Sequence, residues 1–125
     1  NDKATYQANM GKVIAELKKT KAKLIWVTTC PVPNGYDPAG PRDANGKAPG
    51  RTAGVMRKYL NPWAWEVMKR HPEITICDQW QYCKDNENGI YKDWWVGKNV
   101  HFKGAPADAL GQSLGKHVEN LMKKK

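Results

Sequence analysis

KLIWVTT, residues 23–29, is a short and largely apolar run in which β-branched side chains are frequent. A second run of this kind, EITICD, spans residues 73–78. Short apolar runs bounded by turn-forming residues are typical of strands that are buried on both faces, as strands of a parallel sheet are. Both runs are therefore predicted to be parallel strands.

Three stretches around these runs carry apolar side chains at helical spacing. They span residues 5–20, residues 52–70 and the region that begins at Pro106. In the second stretch, Asn61 as a cap and Pro62 at the first helical position would allow the helix to restart. The apolar positions are Tyr6, Met10, Val13, Ile14 and Leu17, then Val55, Tyr59, Trp63 and Val67, and finally Leu110, Leu114, Val118 and Leu121.

The segments between these elements are predicted to be loops. Residues 31–51 are rich in proline and glycine, and a loop of that length inside a compact domain is usually functional or mobile. Because it follows the carboxyl end of a strand, we expect it to border a cleft. Residues 79–89 are polar and turn-rich. Asp78 is expected to cap or turn the chain there.

The order helix, strand, loop, helix, strand, loop, helix is typical of an α/β protein with a parallel sheet. Two strands are too few for such a sheet and would leave apolar edges and faces uncovered. We therefore expect residues 1–125 to form a single partial domain whose other strands lie in an N-terminal segment. The chain begins at Asn1 without a methionine, which favours a processed product or a piece of a longer protein.

Composition narrows the class of protein. Charged residues make up 26% of the chain and hydrophobic residues 40%, as in ordinary globular proteins. No apolar run approaches 18 residues, so no membrane span is predicted. The net charge of +9 invites a nucleic-acid interpretation, but the lysines are scattered and no nucleic-acid motif accompanies them. Nucleic acid is therefore an unlikely partner.

Three cysteines, Cys30, Cys77 and Cys83, allow two arrangements. One disulfide with a spare thiol and three buried thiols both fit an odd number. The cysteines lack C-x-x-C spacing, and no histidine pair matches them. No metal site is predicted.

GQSLG, residues 111–115, satisfies the G-x-S-x-G pattern of a nucleophile elbow, and Ser113 is the only serine in the chain. An elbow needs a strand directly before the serine, whereas here a helix is predicted to start at Pro106. Ser113 is therefore expected to be an ordinary helical residue. Gly111 and Gly115 are expected to let the helix pack closely against a neighbour.

KNVHFKG, residues 98–104, places His101 in a loop before the last helix. The segments KLIWVTTCPVP (23–33), RTAGVMRKYLNPWAWEVMKRH (51–71), ITICDQW (74–80), NVHF (99–102) and ALG (109–111) follow one another in an order that resembles the C-terminal half of SGNH/GDSL-type acyl-ester hydrolases. The resemblance implies a three-layer α/β/α parallel sheet of flavodoxin-like architecture, of which this chain supplies the last strands and helices.

The same resemblance implies a function. His101 matches the general-base histidine of a serine esterase, and O-acetyl groups on carbohydrate are the substrates to test first. The nucleophilic serine belongs to a Gly-Asp-Ser motif in the N-terminal half, which would be a second chain or a missing segment. The chemistry needs no cofactor. The family also favours a secreted or periplasmic location.

One position departs from the family pattern. An aspartate three residues before the histidine usually orients the imidazole, and Lys98 stands there. A lysine cannot accept the ring N–H. Asn99 could accept it through the side-chain oxygen, as could a backbone carbonyl or an acid such as Asp93.

Two further interpretations remain open. Trp94 and Trp95, together with Trp80 earlier in the chain, could form a substrate-binding wall beside His101, or they could be buried packing residues. The whole chain could instead be a non-catalytic, basic, tryptophan-containing module that binds an anionic polysaccharide or nucleic acid.

Overall fold

The computed structural model describes residues 2–32, 56–95 and 100–124. Helices predominate, and two short strands lie among them. The elements in chain order are α1 (Lys3–Lys18), β1 (Ile25–Val27), a π-helical turn (Met56–Leu60), α2 (Asn61–Met68), β2 (Thr75–Cys77), α3 (Gln79–Asp85), α4 (Lys92–Trp95) and α5 (Ala105–Lys123).

The two strands pair in parallel, which confirms the predicted α/β class and the predicted strand direction. Trp26 lies opposite Ile76 in the register of the pair. Because side chains alternate along a strand, Trp26 and Ile76 share one face of the sheet and Thr75 points to the other.

The core lies on the face of Trp26 and Ile76. Both side chains pack against a buried cluster to which α1 and α2 contribute. Ala64 of α2 is also fully buried. The members of this cluster are Ile14, Val67, Met68 and Ile74, with Met10 and Leu24 packed against it.

Helix α5 contacts the other face and runs antiparallel to the strands. His117 Nε2 lies 2.9 Å from the hydroxyl of Thr75, the first residue of β2. Nearer the helix start, Ser113 Oγ accepts a hydrogen bond of 3.3 Å from Gln79, just beyond the end of β2. The start of α5 therefore lies towards the carboxyl edge of the strand pair.

Much of the apolar surface stays uncovered, as expected for a sheet of two strands. No residue of α5 is buried. Val118 and Met122 of that helix are 40% and 66% exposed. Val13 and Leu17 of α1 are also exposed, although they belong to the predicted apolar stripe.

Three local predictions were wrong. Residues 79–85 form a helix instead of a turn-rich stretch, because Asp78 caps α3 by accepting from the backbone N–H of Gln81. Asn61 does not cap α2: its side chain turns to the backbone N–H and C=O of Thr29, at 3.1 and 3.2 Å. Gly111 and Gly115 face open space instead of a neighbouring helix.

Other predictions were confirmed. Ser113 lies inside α5, so it cannot sit on a strand-to-helix elbow. Pro62 stands in the first turn of α2, directly after the π-helical turn that ends at Leu60. Asp78 is a cap, as expected. Of the long loop, Pro31 and Val32 are buried, and residues 33–51 lie outside the described part of the chain.

The carboxyl ends of both strands are joined by the side chain of Thr28, which is 3% exposed. Its hydroxyl donates to Asp78 Oδ1 at 3.0 Å and accepts from the backbone N–H of Trp80 at 2.9 Å. A single hydroxyl thus links the residue after β1 to the residue after β2 and to the first turn of α3.

Replacing this hydroxyl tests its contribution. Thr28→Val keeps the shape but leaves the Trp80 N–H without its acceptor, so we expect a loss of about 1–3 kcal/mol in the free energy of unfolding. Thr29→Val is the matched control, because the exposed Thr29 side chain should tolerate the change within about 0.5 kcal/mol. Urea unfolding followed by circular dichroism measures both, and equal midpoints would contradict the assignment.

Candidate functional site

A cleft of about 460 Å³ opens at the carboxyl edge of the strand pair. Thr28 and Asp78, the first residues after β1 and β2, line it together with residues of the π-helical turn, α2 and α3. In open α/β sheets, ligands bind at this edge. The residues that line this carboxyl-edge cleft are Thr28, Arg57, Asn61, Pro62, Trp65, Glu66, Lys69, Asp78, Trp80 and Gln81.

Two tryptophans provide aromatic walls. Trp65 is 36% exposed, and its ring meets the ring of Trp26 edge-on at 5.9 Å. The guanidinium of Arg57 lies over the ring of Trp80, 5.8 Å from the centroid. The indole N–H of Trp80 is buried and has no acceptor among the described residues. The cleft therefore combines aromatic surface with a cation held over one of its rings.

The charged side chains of the cleft differ in whether they have hydrogen-bond or ion-pair partners. Hydrogen bonds from Lys3 and Gln7 hold the pKa of Glu66 below its usual value. Asp78 Oδ1 accepts from the Thr28 hydroxyl and from the Gln81 backbone. Arg57 and Lys69 form no ion pair within the described ranges. Among the described residues, these two cations of the cleft are therefore not neutralised by a carboxylate partner.

His101 lies beyond the same edge but does not line the cleft. Ser113 of α5 contacts Gln79 just past β2, and about 12 Å of helix separates Ser113 from Ala105 at 1.5 Å per residue. His101 precedes that helix start by four residues and is exposed. The end of α5 that His101 precedes therefore lies towards the carboxyl side of the strands.

Tyr91 holds the loop that carries His101. Its side chain is fully buried, and its hydroxyl donates to the carbonyl of Pro106 at 3.0 Å. Its ring packs edge-on against Phe102, the neighbour of His101, at 5.4 Å. Burial raises the pKa of Tyr91, so it stays a neutral donor. Gly104, at φ 62°, lets the chain turn into α5.

The other two histidines occupy different places. His71 Nδ1 lies 2.8 Å from the ammonium of Lys18, near the amino end of β2, and Glu73 is also close. His117 contacts Thr75, the first residue of β2. Both are held by contacts near the amino end of β2. Of the three histidines, only His101 lies towards the carboxyl edge.

The remaining predicted site residues lie wholly or in part outside what the structure describes. Asn99, the proposed orienter, lies outside the described residues, as does Lys98. Trp94 and Trp95 are in α4, but their side chains are also outside the description. Whether these tryptophans form a substrate wall stays a prediction.

The three cysteines are free thiols. Cys77 and Cys83 are buried, and Cys30 is half-buried. A hydrogen bond with Cys83 lowers the pKa of Cys30 and raises that of Cys83, to which burial also contributes. No group of three or more metal-binding side chains occurs in the described part of the chain.

Comparison of the chain with protein-family models, with curated proteins and with solved structures finds no match. Within residues 2–32, 56–95 and 100–124, no helix combines the length and apolarity that a membrane crossing requires.

Sequence reasoning missed three residues of this region, Arg57, Trp65 and Tyr91, whereas Trp80 was named as a possible wall residue and does line the cleft. A signal for the cleft existed, because Thr28 and Asp78 directly follow the two predicted strands and so had to meet at one edge. Trp80 follows Asp78 by two residues, which made it the nearer aromatic candidate. Nothing in the sequence signalled the contact between Tyr91 and Phe102.

Alkylation tests the thiol assignments. At mildly alkaline pH, Cys30 should react with iodoacetamide at least about tenfold faster than Cys77 or Cys83, because it is more exposed and the thiolate is the reacting form. Peptide mass spectrometry of samples quenched over time measures the order. In urea the three rates should converge, and a faster reaction at Cys83 in the folded protein would contradict the pKa directions.

Proposed function

We propose that this chain is the histidine-bearing part of an SGNH-type serine esterase that hydrolyses acyl esters, with His101 as the general base. The observation that carries the proposal is the place of His101. His101 stands four residues before α5, whose start lies towards the carboxyl edge of the strand pair, and its neighbour Phe102 packs against Tyr91. Catalytic groups of α/β proteins gather at that edge.

The packing of the helices supports the architecture that the proposal requires. Helices α1 and α2 cover the face of Trp26 and Ile76, while α5 contacts the opposite side through Thr75. Helices on both faces of a parallel sheet make a three-layer α/β/α arrangement. The exposed apolar side chains of α1 and α5 would then be covered by elements that the rest of the protein supplies.

His101 would act twice in the reaction. It first takes the proton of a serine hydroxyl as the serine oxygen attacks the acyl carbon, and the resulting imidazolium gives that proton to the departing alcohol. Water then enters, His101 accepts a proton from it, and the acyl–serine bond breaks to release the acid. The proton returns to the serine oxygen. No cofactor takes part.

The nucleophile must come from outside this chain. Ser113 lies within α5, where Gln79 donates to its hydroxyl. The proposed source is an N-terminal half with a Gly-Asp-Ser segment, either as a second polypeptide or as the segment ahead of Asn1. Asn99 would accept the ring N–H of His101 where Lys98 cannot. The proposed substrates are O-acetyl groups on carbohydrate, with Trp94 and Trp95 beside the acyl site.

The proposal is tested on the protein completed by its N-terminal half. Hydrolysis of p-nitrophenyl acetate should require that half, and His101→Ala should lower kcat/KM by about 10²–10⁴-fold because the general base is removed. His71→Ala is the matched control, since His71 pairs with Lys18 away from the carboxyl edge. We expect that variant to retain activity.

Two results would overturn the proposal. The first is a complete protein that lacks a Gly-Asp-Ser segment. The second is a His101→Ala variant that folds, as judged by circular dichroism, and hydrolyses the ester at the parental rate. A fluorophosphonate probe supplies an independent measurement, because it should label the serine of the N-terminal half and leave Ser113 unmodified.

A further inference from the structure

We propose that the carboxyl-edge cleft binds an acidic sugar, meaning a carbohydrate unit that carries one carboxylate. The inference goes beyond ester hydrolysis, because none of the lining residues is His101 and binding needs no reaction. It rests on three features of the described lining: two aromatic walls, two cations without ion-pair partners, and two carboxylates already held in place.

The aromatic walls suit a ring-shaped ligand with an apolar face. Trp65 is 36% exposed, although its ring packs against Trp26. Trp80 lies on the other side of the cleft, at the start of α3. Tryptophan offers large, rigid contact area together with a polar N–H. The partly exposed rings of the lining thus offer apolar surface to the ligand, while the Trp80 N–H itself is buried and is not assigned a ligand contact.

The side chain of Arg57 is positioned to bind a carboxylate. Its guanidinium lies 5.8 Å from the centroid of the Trp80 ring, so the aromatic face restricts its position. A guanidinium held in this way can present two parallel N–H groups to the two oxygens of a carboxylate. Lys69 adds a second positive charge from the end of α2.

The two carboxylates of the lining decide against a polyanion. Glu66 is kept ionised by hydrogen bonds from Lys3 and Gln7, and Asp78 accepts from Thr28. With Arg57 and Lys69, the lining holds as many negative as positive charges. A chain of phosphates would meet repulsion there, whereas sugar hydroxyls can donate to the same carboxylate oxygens. One carboxylate among several hydroxyls is the best match.

The test compares a short galacturonic acid oligomer with the neutral galactose oligomer of equal length, using calorimetry or tryptophan fluorescence. The acidic oligomer should bind at least about tenfold more tightly, since a charge-assisted pair with Arg57 forms only with the carboxylate. Arg57→Ala should lower the affinity about tenfold, and Arg57→Lys, which keeps the charge but not the fork, should lower it less. Lys116→Ala, an equal change of charge on exposed α5, should leave it unchanged.

Each remaining outcome overturns the proposal. Equal affinity for both oligomers would show that the carboxylate does not contribute to recognition. Equal effects of Arg57→Ala and Lys116→Ala would indicate non-specific charge attraction. Tighter binding of a single-stranded oligonucleotide, with a steep salt dependence, would assign the cleft to nucleic acid. His101→Ala should bind like the parent. The binding proposal can thus be contradicted while the esterase proposal stands, and the esterase proposal can be contradicted while the binding proposal stands.

Discussion

The hydroxyl of Thr28 joins the carboxyl ends of the two strands to the start of α3, and the arrangement of the cleft depends on this connection. Each strand has only three residues, and so short a pair offers few ladder hydrogen bonds. Thr28 extends the pairing beyond the strands through its hydrogen bond to Asp78. Its hydroxyl oxygen also accepts a hydrogen bond from the backbone N–H of Trp80, in the first turn of α3. Because the Thr28 side chain is almost fully buried, both of these hydrogen bonds are made inside the protein.

This arrangement separates two regions at one edge. The cleft opens on the side of α2 and α3, while the loop of His101 is tied through Tyr91 to the start of α5. A parallel strand pair brings both regions to its carboxyl edge because both of its strands end there. The cleft is formed by side chains from elements far apart in sequence, whereas the His101 loop is held by its near neighbours.

The sequence predicted what depends on local pattern. The apolar runs gave both strands and their direction, and the spacing of Leu110, Leu114 and Val118 gave α5. It could not predict features that depend on how packed elements are rotated. Gly111 and Gly115 face open space because the contacts of His117 and Gln79 fix the rotation of α5 about its axis. Asn61 resembles a cap in the sequence, but its side chain is directed inward to the backbone of Thr29.

Helix α5 has no buried residue, and this has a consequence for motion. Its contacts with the rest of the chain include hydrogen bonds from Gln79 and Lys23 and the contact of His117 with Thr75, and its leucines Leu110, Leu114 and Leu121 are only partly buried. A unit of this kind opens at a lower free energy than the remainder of the molecule and exchanges its amide protons earlier. The opening would carry the His101 loop away from the strand edge while α1 and α2 stay packed, so the chain would pass through a partly open form with its core intact.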